Sequence, residues 1–223
     1  MSRDSTRPVT APMLEYIRRV SIRESGHVRA LREATGKLRE RGWACAPEQG
    51  QLLALICRMT RAERVLEVGT FTGYATLWMA EALPEDGTVL TIDVMDEYVD
   101  VGRPHWEAAG MGGKIDARTG PATDVLRALI DEGMAGAFDV AYIDANKKDY
   151  DAYFEAALTL VRDAGVIVLD NMLWGGAVLD PGDERKSTAA LKVLNEKLGR
   201  DERISVSMLP LDDGLTVCVK QPG

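Results

Sequence analysis

Along the chain the spacing of apolar positions changes character once, sharply. Between residues 12 and 59 apolar side chains recur every three or four positions, the spacing of one helical face, and this predicts helices over 12–20, 24–41 and 47–59. The third opens on Pro47, which suits a first turn because its missing N–H would have no partner there. From residue 64 onward the pattern becomes short apolar runs separated by amphipathic stretches. Strands are predicted over 65–68, 88–92, 115–118, 139–143 and 166–169, and helices over 74–82, 97–109, 122–132, 150–162 and 187–198. Strands that alternate with helices are joined by crossovers, so the sheet should be parallel and covered on both faces. The last two runs, 204–209 and 215–219, are linked by Pro210-Leu211-Asp212-Asp213-Gly214. That linker predicts a hairpin, and so an antiparallel last strand. The chain is expected to be a single domain over 1–223, with a helical part over 1–60 and an α/β core over 61–223.

Composition narrows the function classes. The 223 residues, 46% hydrophobic and 28% charged, have the balance of one globular domain. No apolar run approaches the roughly 18 residues of a membrane span, and the polar start over 1–12 lacks a signal peptide's apolar core. A cytoplasmic location without a membrane partner is the expectation. The net charge of −8 argues against a nucleic-acid backbone as ligand. Cys45, Cys57 and Cys218 match no zinc or redox spacing and read as buried or indifferent thiols. With only His27 and His105 available, histidine-based catalysis has little room.

The chemistry is written at strand ends. Val65-Leu66-Glu67-Val68 runs into Gly69-Thr70-Phe71-Thr72-Gly73 and then a helix, where a nucleotide-like ligand could approach Gly69, Thr70 and Gly73. Asp93 closes the next strand, the place of an acceptor for two ribose hydroxyls. Glu67 would repel a pyrophosphate but tolerate a cationic amino-acid group, which favours S-adenosylmethionine over a nicotinamide dinucleotide. Two further strands end in Asp144 and in Asp170-Asn171. If those strands are neighbours, two carboxylates and an amide oxygen converge, a hard donor set for Mg²⁺ first, with Mn²⁺ or Ca²⁺ as alternatives. Lys147 follows Asp144 by three positions and is the best available proton acceptor beside such a cation.

Several stretches together resemble the cation-dependent O-methyltransferases typified by plant caffeoyl-CoA O-methyltransferase, with catechol O-methyltransferase as a more distant relative. They are Pro47-Glu48-Gln49-Gly50-Gln51, Leu66 through Tyr74, Gly120-Pro121-Ala122, Asp144-Ala145-Asn146-Lys147, Asp170-Asn171-Met172-Leu173-Trp174 and Leu209 through Thr216. The resemblance implies a Rossmann-like seven-stranded methyltransferase sheet and a homodimer. It also implies cofactor contacts from Glu67, Gly69, Asp93, Ala122 and Asp144, with a further contribution near Ala44 and Cys45. Metal ligation by Asp144, Asp170 and Asn171, with a catalytic role for Lys147, follows from the same likeness. Trp43 and Trp174 would then face the acceptor, a small phenolic molecule with neighbouring hydroxyls.

The sequence departs from the family pattern at Asn146, where an acid is frequent, at Ala75, where a serine is frequent, and at Trp43 and Gly175. The N-terminal segment shows no obvious basic cluster for coenzyme A phosphates, so a coenzyme A ester is the less favoured acceptor. A tRNA hydroxyuridine methyltransferase of the same family is disfavoured by the acidic balance. An NAD-linked oxidoreductase is disfavoured by Glu67 and the broken glycine pattern, and a vestigial binding protein by the intact set Asp144, Lys147, Asp170 and Asn171.

Overall fold

A computed structural model describes residues 9–223; residues 1–8, part of the polar start read above, lie outside the described residues. Two helices, α1 (Ala11–Ser21) and α2 (Gly26–Thr35), and then α3 (Pro47–Thr60) precede the sheet. The α/β part follows as β1 (Arg64–Val68), α4 (Tyr74–Ala80), β2 (Thr88–Asp93), α5 (Asp96–Ala108), β3 (Ile115–Thr119), α6 (Ala122–Asp131) and β4 (Phe138–Ile143). It ends with α7 (Tyr150–Leu160), β5 (Val161–Leu169), α8 (Lys186–Leu198), β6 (Ile204–Leu209) and β7 (Leu215–Lys220).

The seven strands lie in the order β3-β2-β1-β4-β5-β7-β6. The first five are parallel, while β7 inserts antiparallel between β5 and β6. Strand order reverses between β1 and β4, where an open α/β sheet leaves a crevice at its carboxyl edge. The strand-end bonds are aligned across that edge: Gly69 N–H donates to the Ile92 carbonyl, Asp144 N–H to Val68, and Asp170 N–H to Ile143, at 2.8–3.0 Å. Residues from four strands are thereby brought to one rim.

Side-chain alternation fills the two layers. Leu66, Val68, Leu90, Ile92, Ala141, Ile143, Ile167 and Leu169 pack against α6, α7 and α8. Val65, Val89, Val140, Tyr142, Val166 and Val168 face α3 and α4. Both faces of the parallel strands are therefore apolar, as crossovers on both sides require. Glu67 is an exception, a carboxylate inside the α3–α4 layer.

Two expected boundaries are corrected. The helix expected over 24–41 is only Gly26–Thr35: Ser25 Oγ caps its start from Val28 N–H, and the chain turns at Gly36 into short turns and a 3₁₀ segment at Arg41–Trp43. The seventh helix ends at Leu160 rather than 162, and its strand begins at Val161 rather than 166. Ala164 there has φ 58°, and the register shifts between Phe138 and Val140, so an irregular lead-in hid the strand from its apolar pattern. Arg162 Nε donates to Asp139 Oδ1, whose other oxygen accepts the N–H groups of Glu63 and Arg64, tying that lead-in to β1 and β4.

Candidate active site

The carboxyl ends of β1, β2, β4 and β5 open into a cavity of about 530 Å³. Gly69, Thr70, Asp93, Ala122, Asp144, Lys147, Asp170, Asn171, Trp43 and Trp174 all line it, together with Ala44, Cys45, Ala75 and Asn146. Among the expected contacts, Glu67 and Gly73 do not. Gly73 starts α4 in a left-handed conformation, φ 72°, and a Cβ on it would collide with the Trp106 ring. Its glycine is required by that turn and that packing rather than by a ligand's approach.

Glu67 is wholly buried behind the rim. Its Oε2 accepts from the Thr76 and Thr91 hydroxyls, and Oε1 has no hydrogen-bond partner. Burial raises this carboxyl to about 8, against the two hydroxyl donors that lower it. An unpartnered buried acceptor is costly, and a cation bound nearby would relieve it. Asp93 is held more firmly. Its Oδ2 accepts Phe71 N–H at 2.7 Å and its Oδ1 accepts Met95 N–H at 3.0 Å. Each oxygen keeps one acceptor site, which fits a pair of vicinal hydroxyls.

At the other end, adjacent strands β4 and β5 bring Asp144 and Asp170 together. Asp170 is buried; Oδ1 accepts from Gln49 Nε2 at 2.7 Å and from Asn171 N–H at 2.6 Å, and Oδ2 accepts from Tyr142 at 2.8 Å. Burial, then the neighbouring Asp144 charge, push the Asp170 carboxyl up to about 7. Two acids gathered this closely, with Lys147 paired to Asp144 Oδ1 alone, fit a cation. Among the described residues, no group of three or more His, Cys, Asp and Glu side chains is placed to hold a metal. A cation here would therefore take its third protein oxygen from Asn171, which lines the same wall in a left-handed conformation, φ 55°.

Lys147 is buried. Its Nζ donates to Asp144 Oδ1 at 2.9 Å and to the Tyr150 hydroxyl, and lies 5.9 Å from the Trp174 ring centroid. Tyr150, pushed well up by burial and by Asp144, keeps its one proton, shared between the carbonyls of Ile143 at 3.2 Å and Asp170 at 3.1 Å. With two Nζ positions engaged by Asp144 and Tyr150, Lys147 has one left for the cavity.

The two expected acceptor tryptophans have different neighbours. Trp174 sits beside Lys147 and Asn171, its indole N–H buried without a partner. Trp43 packs against Phe71 and Tyr98 at 5.7 and 5.8 Å between ring centroids, next to the Asp93 turn. Asn146 donates to the Tyr153 hydroxyl at 2.8 Å.

Sequence reading assigned no site role to Tyr142 and Tyr150, nor to Gln49 and Asp212-Asp213, which it quoted only within the matching stretches. Tyr142 and Tyr150 fit core periodicity, Gln49 reads as part of a helix start, and the two acids read as a hairpin turn. The available signal was a tyrosine two residues before a strand-end acid. A second cavity of about 400 Å³ gathers Arg18, Arg19, Arg29 and Arg32 together with Glu15 and Glu24. Arg18 pairs with Glu48, and Arg32 with Glu24.

Comparison with known proteins agrees with this layout. The O-methyltransferase family profile matches residues 18–221. Catechol O-methyltransferase domain-containing protein 1 of Mus musculus is 41% identical over 213 residues, covering 96% of this chain and 81% of its own. Caffeoyl-CoA O-methyltransferase of Eucalyptus gunnii is 37% identical over 214 residues, covering 92% and 86%. Among solved structures, the O-methyltransferase TomG from Streptomyces achromogenes, in complex with S-adenosylmethionine and involved in tomaymycin synthesis, superposes with a TM-score of 0.85. It is 31% identical, over 93% of this chain and 95% of that one.

Proposed function

The chain belongs to the O-methyltransferase family, and from that premise we propose that it transfers the methyl group of S-adenosylmethionine to one of two neighbouring hydroxyls on a small phenolic acceptor, with a divalent cation. The observation that carries this reading is the convergence of Asp144, Lys147, Asp170 and Asn171 on the cavity that Asp93 enters from the opposite side. Asp93 would hold the ribose hydroxyls, and a cationic cofactor end near the unpartnered Glu67 Oε1 would draw the proton off that buried carboxyl.

Asp144, Asp170 and Asn171 would hold the cation, Mg²⁺ by preference for an all-oxygen set, and it would stabilise negative charge on the acceptor oxygen. Lys147, as the neutral amine, would take the proton of the acceptor hydroxyl on the Nζ lone pair, its two N–H groups held by Asp144 and Tyr150. The acceptor oxygen forms its bond to the methyl carbon as the carbon–sulfur bond breaks, and the electron pair leaves on sulfur. Trp174 forms a wall beside Lys147 that fits an aromatic ring, and the cavity aligns oxygen and methyl, which supplies much of the acceleration.

Methyl transfer to a catechol, compared with the corresponding monophenol and read by product mass, tests this. Preference for the neighbouring pair supports chelation, and equal transfer to both overturns it. A further reading is a phosphate-bearing acceptor such as a coenzyme A ester, toward which the second cavity offers arginines of which Arg18, Arg29 and Arg32 already face Glu48 and Glu24. The likeness to a caffeoyl-CoA O-methyltransferase supports it as well.

A further inference from the structure

We propose that the Tyr142 hydroxyl is a positioning group of the cation site, holding the Asp170 carboxylate so that the open site on Oδ2 faces the metal; this rests on the metal-dependent reading above. Tyr142 stands on β4 in the layer of Val65, Val140 and Val168, all apolar, and is 1% exposed. A hydroxyl placed there must find a partner or lose its hydration for nothing.

Its partner is the acid pair. The hydroxyl donates to Asp170 Oδ2 at 2.8 Å and lies 3.4 Å from Asp144 Oδ2. A phenol has a single proton, so the shorter contact takes it. On Asp170, Oδ1 already accepts two donors, Gln49 Nε2 and Asn171 N–H, and is full. Oδ2 accepts only Tyr142, which leaves one acceptor site. On Asp144, Oδ1 takes Lys147 and Oδ2 has only the long contact. Asp144 therefore keeps acceptor sites on both oxygens, whereas on Asp170 the free capacity lies at Oδ2 alone, beside the Tyr142 hydroxyl.

Gln49 and Tyr142 thus grip Asp170 from opposite oxygens and stop its carboxylate from turning. Partners of this kind orient a ligand before a metal arrives, and losing one weakens metal binding. Phenylalanine would fill the same space and let Asp170 Oδ2 swing toward other donors. Tyr142 acts through Asp170 and need not touch the acceptor.

Tyr142→Phe removes one oxygen and keeps the ring. Mn²⁺ binding to the wild type and to this variant is followed by titration calorimetry, alongside S-adenosylhomocysteine binding in metal-free buffer. The expected result is a Mn²⁺ Kd raised about 10- to 100-fold with S-adenosylhomocysteine affinity unchanged. A packing role alone would move both affinities or neither, and either pattern overturns the inference. Wild-type protein that binds no Mn²⁺ would instead remove the metal reading itself, whereas equal Mn²⁺ affinity in both proteins overturns only the role of Tyr142.

Discussion

A Cβ built on Gly69 would stand 2.1 Å from the carbonyl oxygen of Asp144. The turn after β1 is thus pressed against the backbone of the acid that follows β4, and no side chain fits between them. Gly69 also has φ 103°, a conformation that L residues avoid. Gly69→Ala should cost on the order of 2–4 kcal/mol from overpacking and backbone strain together. Thermal unfolding with and without S-adenosylhomocysteine checks this: a lower Tm and a lost ligand-induced rise are expected, and an unchanged rise would contradict the contact.

Glu67 should give the empty protein a pH-dependent weakness. Its carboxyl is raised by burial from an ordinary 4.5 to about 8 in the folded state. Below the ordinary value it is neutral in both states and has no effect. Between the two values the unfolded chain releases this proton while the folded chain keeps it, so stability falls as pH rises through that window and levels off above about 8. Glu67→Gln lacks that slope. Urea unfolding at several pH values should show the variant gaining on the wild type from pH 5 to pH 8. Parallel curves would contradict the burial of this carboxyl.

Asp93 should matter for binding rather than for the chemical step. Its two oxygens are oriented by Phe71 N–H and Met95 N–H, with one acceptor site left on each. Two hydrogen bonds to a charged acceptor are worth several kcal/mol, so Asp93→Ala should raise the Kd for S-adenosylmethionine on the order of 100-fold. Calorimetry measures this directly, and wild-type affinity in the variant would move the ribose elsewhere.

Lys147 should show the converse. Lys147→Met removes the amine held by Asp144 and Tyr150. The expected fall in kcat is on the order of 10²- to 10⁴-fold, with cofactor affinity close to wild type. Single-turnover methyl transfer separates the two, and a rate near wild type would assign the proton to another group.

Much of this was legible before any coordinates. Strand-end acids declare themselves because an apolar run that stops at Asp144 or Asp170 in an alternating α/β pattern puts that acid on the carboxyl edge. Asp93, Lys147 and Asn171 follow by the same logic. Tyr142 and Gln49 were not legible, because their neighbours come from β5, 28 and 121 residues away in sequence. The helix α2 was read too long because helical periodicity persists beyond Gly36, where the backbone stops following it. Trp43 was read toward the acceptor, yet its place beside Phe71 and Tyr98 depends on how the segment before α3 folds over the Asp93 turn.

The most direct test is methyl transfer from S-adenosylmethionine to a catechol, in protein stripped with EDTA and then resupplied with Mg²⁺, read by product mass. Loss of transfer on stripping and its return with Mg²⁺ is the predicted result, with Asp170→Ala inactive under both conditions. Transfer that proceeds undiminished in EDTA would contradict a catalytic cation and leave Asp144, Asp170 and Asn171 as structural groups.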